Sequence, residues 1–314
     1  MGGRRNKRRK NRRSDAKLRG DGSTDKSGSL CDKWAACNTQ VSVVHKSNGG
    51  QSSARNEGIL KARGRYICFL DSDDFIAKDW LENLYNTIES TGADIVKGGI
   101  FYVQDSPELN PFSDNIDVYK TISFKNEECI SAYEYLCRLI TYEGYNCVTN
   151  QLVKTEIYKK CLFPTGRTNE DHRIYFSLLK HTEKICICTF CGLYYRQRSG
   201  STTGVRSQSF IANMTEDYIC HHNILVSEYS DTENAKAAVL RATELFFYYL
   251  ASAQNTDSIK SPLTKQVWKK LYPVTRNYDM KQLLPKVLYL QYKIYSISNT
   301  LYYHIMRIKK AVSQ

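Results

Sequence analysis

No run of apolar residues in this 314-residue chain reaches the roughly 18 needed to cross a bilayer, so a membrane-spanning helix is not expected. The N-terminus has no apolar segment after its charges, which removes a secretory signal and points to a cytoplasmic location. A disulfide framework is also lacking: the eleven cysteines are odd in number and irregularly spaced, which fits reduced thiols. Their one cluster, Cys186, Cys188 and Cys191, lies in a stretch where Ile185 to Phe190 alternates like a strand. No fourth ligand stands nearby at a zinc-ribbon spacing, so zinc is not expected there. No internal repeat is visible.

What is present is enough for a core. At 41% hydrophobic and 12% aromatic residues, the chain can form one large domain, or one domain with a helical extension. The net charge of +13 is unevenly spread. Residues 1 to 19 hold ten Lys or Arg against one acid, Asp15, a net +9, which leaves +4 for the rest. Such a segment could bind RNA or an anionic membrane by counterion release. Its lack of aromatics favours a solvated, disordered arm or an artefact of the gene model. A nucleic-acid partner is not expected, because beyond the arm there is no basic face with interleaved aromatics.

Along the chain, Asp21 to Asp25 reads as a turn and Ser29 to Cys37 as a helix. Val41 to His45 reads as a strand, Asn48 to Gly50 as a turn and Ser52 to Arg63 as a helix. Tyr66 to Leu70 is a continuous apolar run of the kind found in a buried parallel strand. Trp80 to Thr91 reads as a helix and Asp94 to Gly98 as a strand, which completes an α/β alternation with a parallel sheet. Tyr102 to Phe124 is polar and reads as a surface excursion. Helices are expected over Ile130 to Ile140 and Gln151 to Cys161, and through most of the chain from Phe210 onward.

Asp71, Asp73 and Asp74 follow the apolar run at the carboxyl end of its strand, where ligands bind in open α/β sheets. Like charges so close raise one another's pKa unless a cation or donor neutralises them. Mg²⁺ or Mn²⁺ suits such a pair, taking one or two carboxylates and completing its shell with phosphate oxygens and water. Taken alone, Asp74 or Asp73 could equally cap the helix that contains Trp80.

The order Asp21-Gly-Ser-Thr-Asp25, Asn48-Gly-Gly50, Ala54-Arg-Asn-Glu-Gly58, Ala62-Arg-Gly-Arg-Tyr-Ile67 and Phe69-Leu-Asp-Ser-Asp-Asp74 resembles the inverting family 2 glycosyltransferases of the GT-A fold. The likeness continues in Phe163-Pro-Thr-Gly-Arg167, Asn169-Glu-Asp171 and Tyr194-Tyr-Arg-Gln-Arg198 with Ser201-Thr202. It implies a mostly parallel, Rossmann-like sheet flanked by helices. The implied reaction moves a sugar from a nucleoside diphosphate, UDP being expected, to a hydroxyl of a glycan or lipid-linked acceptor, as in bacterial surface-polysaccharide biosynthesis.

In residues, the resemblance implies that Asp21 accepts a hydrogen bond from the nucleotide base and that Arg55 faces the nucleotide; the alternative for Arg55 is a surface position on a helix. Asp71 contacts ribose or metal, and Asp73 ligates the Mn²⁺ or Mg²⁺ that bridges the diphosphate. Asp171 is the expected general base and Glu170 the second candidate, although an acidic pair is also ordinary at a helix start. Tyr195, Arg196 and Arg198 would form a loop over the diphosphate, with a polar surface strand as the plainer reading.

The sequence departs from the family at its start. The family opens with a buried strand ending in a Pro-x-Tyr-Asn-like loop, then a helix and a second strand ending in Asp-Asp-Gly-Ser. Here Gly20 stands at the first Asp of that motif, and Ser14 to Arg19 is too polar for a buried parallel strand. The first strand, central in such sheets, is therefore expected to be missing, and a frameshift or wrong start is the suggested cause. The expected division is an arm over 1–19, a GT-A domain over 20–205 and a helical region over 206–314. A catalytically inactive remnant or binding module is the alternative to an enzyme. Leu283 to Lys310 mixes Leu, Ile and Tyr with Lys and Arg, which suggests peripheral membrane contact, with core packing as the other reading.

Overall fold

The computed structural model describes residues 16–21, 25–111, 113, 116–198, 207–252 and 259–312. Residues 1–15 of the expected arm lie outside them, as do Gly22 to Thr24 and the Ser201-Thr202 pair.

The chain opens with β1 (Ala16–Asp21), α1 (Ser27–Cys37) and β2 (Val41–Lys46). β1 and β2 pair in parallel, from Ala16 opposite Val41 to Asp21 opposite Lys46. This corrects the reading that Ser14 to Arg19 is too polar for a parallel strand, since Ala16 to Arg19 lie in one. These two strands form a two-stranded sheet of their own, apart from the main one.

After α2 (Gly50–Lys61) the main sheet is laid down by β3 (Tyr66–Ile67), β4 (Phe75–Ile76), β5 (Ile95–Gln104), β6 (Val118–Ile122), β7 (Glu128–Ser131), β8 (Gln151–Lys154) and β9 (Lys184–Gln197). Its order is β3-β8-β5-β9-β4, with β6 on β5 and β7 on β9. Only β5 and β9 pair in parallel; the other ladders of this sheet are antiparallel. The α/β architecture holds, but the sheet is mixed, where a mostly parallel one was expected.

Both faces of its centre are buried. Ile95, Val153, Ile185 and Ile187 point into one apolar cluster, while Val96, Leu152, Cys186 and Cys188 point into another. This is the period of two that strands impose when helices cover both sides. The second cluster is closed by α3 (Trp80–Thr91), whose Trp80, Leu84 and Ile88 recur every four residues on one face. α3 stops at Gly92, whose left-handed backbone (φ 68°) suits a residue without Cβ.

The expected helix over Ile130 to Ile140 begins later, as α4 (Ala132–Thr141), because Ser131 caps it by accepting from the Glu134 N–H. The expected helix over Gln151 to Cys161 splits into β8 and α5 (Thr155–Lys160), since Gln151 to Val153 pair with β5. Within the expected surface excursion, Val118 to Ile122 pair with β5. The run Tyr66 to Leu70 keeps only two residues in a ladder, antiparallel to β8.

Cys129 and Cys186 stand opposite one another across the β7–β9 ladder and form a disulfide, which corrects the expectation that the thiols are all reduced. Cys188 and Cys191 remain thiols.

α6 (Glu170–Leu178) and a 3₁₀ turn precede β9. Beyond it the chain is helical, as expected: α7 (Gln208–Tyr229), α8 (Thr232–Ser252), α9 (Pro262–Thr275), α10 (Met280–Leu283), α11 (Lys286–Ile297) and α12 (Asn299–Val312). Phe246, Phe247, Tyr292, Tyr295 and Tyr302 fill a third cluster among these helices. Leu225 of α7 with Ala235 and Ala238 of α8 instead enter the first cluster, so the helical region shares a core with the sheet.

Candidate functional site

Arg55 lies one turn after Gln51 on α2, and its side chain is only 6% exposed. Its guanidinium rests against the rings of Phe163 and Phe69, with the central carbon 5.2 and 5.9 Å from their centroids. Nη2 donates to Asp71 Oδ1 at 3.1 Å, and Nη1 donates to Glu170 Oε1 at 3.0 Å and to Asp171 Oδ1. Gln51 Nε2 adds a hydrogen bond to Asp71 Oδ1 at 2.9 Å. One cation thus draws together carboxylates from two segments a hundred residues apart. This rules out the surface position on a helix that the sequence left open for Arg55.

A single guanidinium leaves three carboxylates with an excess of negative charge. Burial, together with Glu170 and Asp71, pushes Asp171 up to about 7 against the opposing pull of Arg55. Arg55 stays charged because the attraction of Asp171, Asp71 and Glu170 outweighs its burial. Glu170 and Asp171 form the first turn of α6, where a helix also favours negative charge.

Asp73 pairs with Arg198 Nη2, near the end of the described part of that segment. Asp74 accepts the Arg196 N–H at 3.0 Å through Oδ1, whereas its Oδ2 is buried without a hydrogen-bond partner. Burial, with the charges of Asp71 and Asp73, pushes Asp74 up to about 7. Neither Asp73 nor Asp74 caps α3, because Asp79 holds the capping position. The Arg196 side chain turns to Asp105 at 3.5 Å, and the Tyr195 ring meets Tyr102 edge-on. Asp21 ends β1 opposite Lys46, and its side chain lies outside the described residues.

The structure therefore brings Arg55, Asp71, Glu170 and Asp171 into one cluster and joins Asp73 to Arg198. Asp71 and Asp73 carry hard oxygen donors of the kind Mg²⁺ or Mn²⁺ prefers, and each side chain is 29% exposed. Among the described residues no three His, Cys, Asp or Glu side chains assemble as a ready-made metal cage. A cation held here would take most of its ligands from phosphate and water.

Three residues near the site escaped the sequence reading. Asp74 reads from sequence as part of the acidic run or as a cap of the helix containing Trp80, with no role in the site. Lys97 of β5 is fully buried and donates to Asn150 Oδ1 at 2.7 Å, to Tyr175 OH at 3.0 Å and to the Cys147 carbonyl. Burial pushes its ammonium down to about 7, against the pull of Cys147 and Asp171. Tyr175 lies one turn beyond Asp171 on α6, so this network underlies the candidate base. A lysine inside the apolar run Ile95-Val-Lys97 was the available signal, since a buried charge requires partners. The third residue, Asp217 of α7, is also fully buried and pairs with Arg167 at 2.9 Å.

With this geometry in hand, comparison with known proteins is direct. The family described as glycosyl transferase family 2 matches residues 19–162. The chain is 31% identical over 187 residues to glycosyltransferase GlyG of Streptococcus pneumoniae, covering 58% of this chain and 60% of that protein. It is 31% identical over 191 residues to the uncharacterized glycosyltransferase EpsJ of Bacillus subtilis, covering 59% and 53%. Glycosyltransferase GlyA of S. pneumoniae is 28% identical over 193 residues, which is 61% of this chain and 27% of GlyA. The chain thus spans less than two thirds of the length of each of these relatives. Among solved structures, residues 1–349 of S. aureus TarS with UDP superimpose with a TM-score of 0.61 at 17% identity, covering 96% of this chain and 83% of that one. The same TarS segment with UDP-GlcNAc gives 0.56. At that identity the likeness shows the fold alone. Residues 19–162 thus match the glycosyl transferase family 2 model, and the chain shares the fold of the TarS structures.

Proposed function

We propose, with that match as premise, that this chain transfers a sugar from a UDP-sugar to a hydroxyl of a glycan or lipid-linked acceptor, inverting the anomeric carbon with help from Mn²⁺ or Mg²⁺. The observation that carries the reading is the convergence of Asp71, Glu170 and Asp171 on Arg55, which sets acid–base groups beside the acidic strand end. The TarS complexes with UDP and UDP-GlcNAc support the choice of donor.

In this reading Asp171 takes the acceptor hydroxyl proton as the oxygen attacks the anomeric carbon and the bond to the diphosphate breaks on the opposite face. A carboxylate raised toward neutrality is suited to that task. Glu170 shares the Arg55 contact and is the second candidate. Asp73 with Asp71 would hold the cation, which stabilises negative charge on the leaving diphosphate. Arg198, now on Asp73, and the Tyr195–Arg196 segment would meet the diphosphate, and Asp21 the base.

The alternative, a catalytically inactive remnant, draws on the isolation of β1 and β2 in a sheet of their own. Calorimetric titration with UDP-sugars, with Mn²⁺ and again with EDTA, beside Asp73→Ala, separates the two. Binding that requires both metal and Asp73 is expected. A folded protein that binds no UDP-sugar would make the chain a remnant.

The acceptor side invites membrane contact. No described helix is long and apolar enough to cross a membrane. On α11 and α12, Tyr292, Tyr295, Tyr302 and Met306 pack inward, whereas Val287, Leu290, Ile297, Leu301, Ile305 and Ile308 are exposed. Lys286, Lys293 and Arg307 stand exposed among them, and the sequence has no Asp or Glu after Asp279. That combination suits an anionic lipid surface. Co-sedimentation with phosphatidylglycerol vesicles, weakened by salt and by Ile297→Glu with Ile305→Glu, is expected. Equal binding to neutral vesicles, or self-association in place of lipid binding, would reject it.

A further inference from the structure

Asn169, at the start of α6 immediately before the candidate base pair, has a left-handed backbone (φ 60°, ψ 32°). A residue with a Cβ is strained in that conformation, Asn less than most, and its surroundings must hold it there. The surroundings here belong to α7. Asn169 Nδ2 donates to the Phe210 carbonyl at 3.0 Å. Asn213 Nδ2 donates to Thr168 Oγ1 at 3.0 Å, and Arg167 Nη2 donates back to the Asn213 carbonyl at 3.1 Å.

Asp217 fixes both sides of the pair. Its fully buried carboxylate meets Arg167, just before Glu170, at 2.9 Å, and Arg173, just after Asp171, at 3.4 Å. Phe210, Asn213 and Asp217 are spaced three and four residues apart, so one face of α7 makes every one of these contacts. Arg55 holds the same carboxylates from α2. Glu170 and Asp171 are therefore gripped from two elements, and α7 lies wholly beyond the segment matched by the family.

We infer that α7 is part of the reaction machinery, with Asn213 and Asp217 acting as positioning residues that set where Glu170 and Asp171 stand. They act through Arg167, Thr168 and Arg173 and touch no reacting atom. The inference rests on the proposed sugar transfer for its catalytic meaning, and on geometry alone for the anchoring.

The physical reason is distance. A base displaced by about 1 Å loses on the order of a hundredfold in rate, while the donor, held on the strand-end carboxylates, should hardly notice. Asp217→Asn keeps the volume and removes the charge; Asn213→Ala removes one anchor from a half-buried position and guards against failure of the first variant to fold.

Two measurements decide it. Hydrogen exchange at residues 167–173 should quicken at least tenfold in both variants, and Val226→Ser, at an exposed position further along α7, should not change it. In turnover, kcat should fall at least tenfold while donor KM and the UDP dissociation constant stay within about twofold. Unchanged exchange in folded variants overturns the anchoring, whatever the activity. Quickened exchange with unchanged kcat overturns the positioning role. A wild-type protein that turns over no UDP-sugar removes the proposed function, and the exchange result then still decides the anchor.

Discussion

From Ile95 to Ile100 every residue of β5 is buried, whereas none of the six residues of β2 is, and α1 contributes no buried residue. Leu30 and Trp34 on α1 are both more than half exposed. The two sheets thus stand on unequal foundations. Glu170 and Asp171 rise from a helix whose Ile174, Tyr175 and Leu178 enter the largest apolar cluster, while Asp21 ends a strand in a two-stranded sheet. A two-stranded sheet is marginal by itself. The groups read as chemical are mounted on the well-packed part, and the residue read as recognising the nucleotide base on the lightly packed part.

That contrast can be broken most directly at Arg55, where the segments meet. Arg55→Met leaves three carboxylates clustered without their cation, and stability should fall by about 3–5 kcal/mol in chemical denaturation. Turnover should fall at least a hundredfold. If neither changes, the cluster does not unite α2 with α6.

A smaller effect concerns the well-packed side. Asp171 is raised to about 7 in the folded state, so the base is protonated below that pH. The kcat/KM profile should drop about tenfold per unit as pH falls below about 7 and level off above it. A profile flat down to pH 5 would remove Asp171 from the role of base.

The smallest effect sharpens the other side. Trp34→Ser should shift stability by no more than about 0.5 kcal/mol in thermal melts, the usual range for an exposed position. A loss above 2 kcal/mol would mean that α1 is covered in solution, and the two sheets would then be more alike than they look.

The sequence was most legible where local pattern and tertiary packing agree. Trp80 to Thr91 is a helix as read, because its apolar spacing is also its buried face. Gln151 to Lys154 misled because a buried Gln151, satisfied through Tyr158 and Tyr175, carries no strand periodicity. Ser14 to Arg19 reads as too polar for a buried parallel strand, yet Ala16 to Arg19 pair in parallel with Val41 to Val44, because pairing in a two-stranded sheet is set by the backbone and not by an apolar run. In the site, Asp71, Glu170 and Asp171 were all named, yet their union through Arg55 was not, since nothing local marks a long-range cluster. Asp217 was invisible for the same reason: its partners lie 44 and 50 positions away.

The sharing of one guanidinium among three carboxylates also makes the site a thermodynamic balance. Whatever neutralises Asp71 frees Arg55 to lean toward Asp171, which lowers the proton affinity of that carboxyl. Occupancy at the strand end and proton loss at α6 are then reciprocal, each favouring the other by the same free energy. On the proposed reading, a base arranged this way would not be permanently armed; it would ripen as the donor settled, and a proton would depart with the settling.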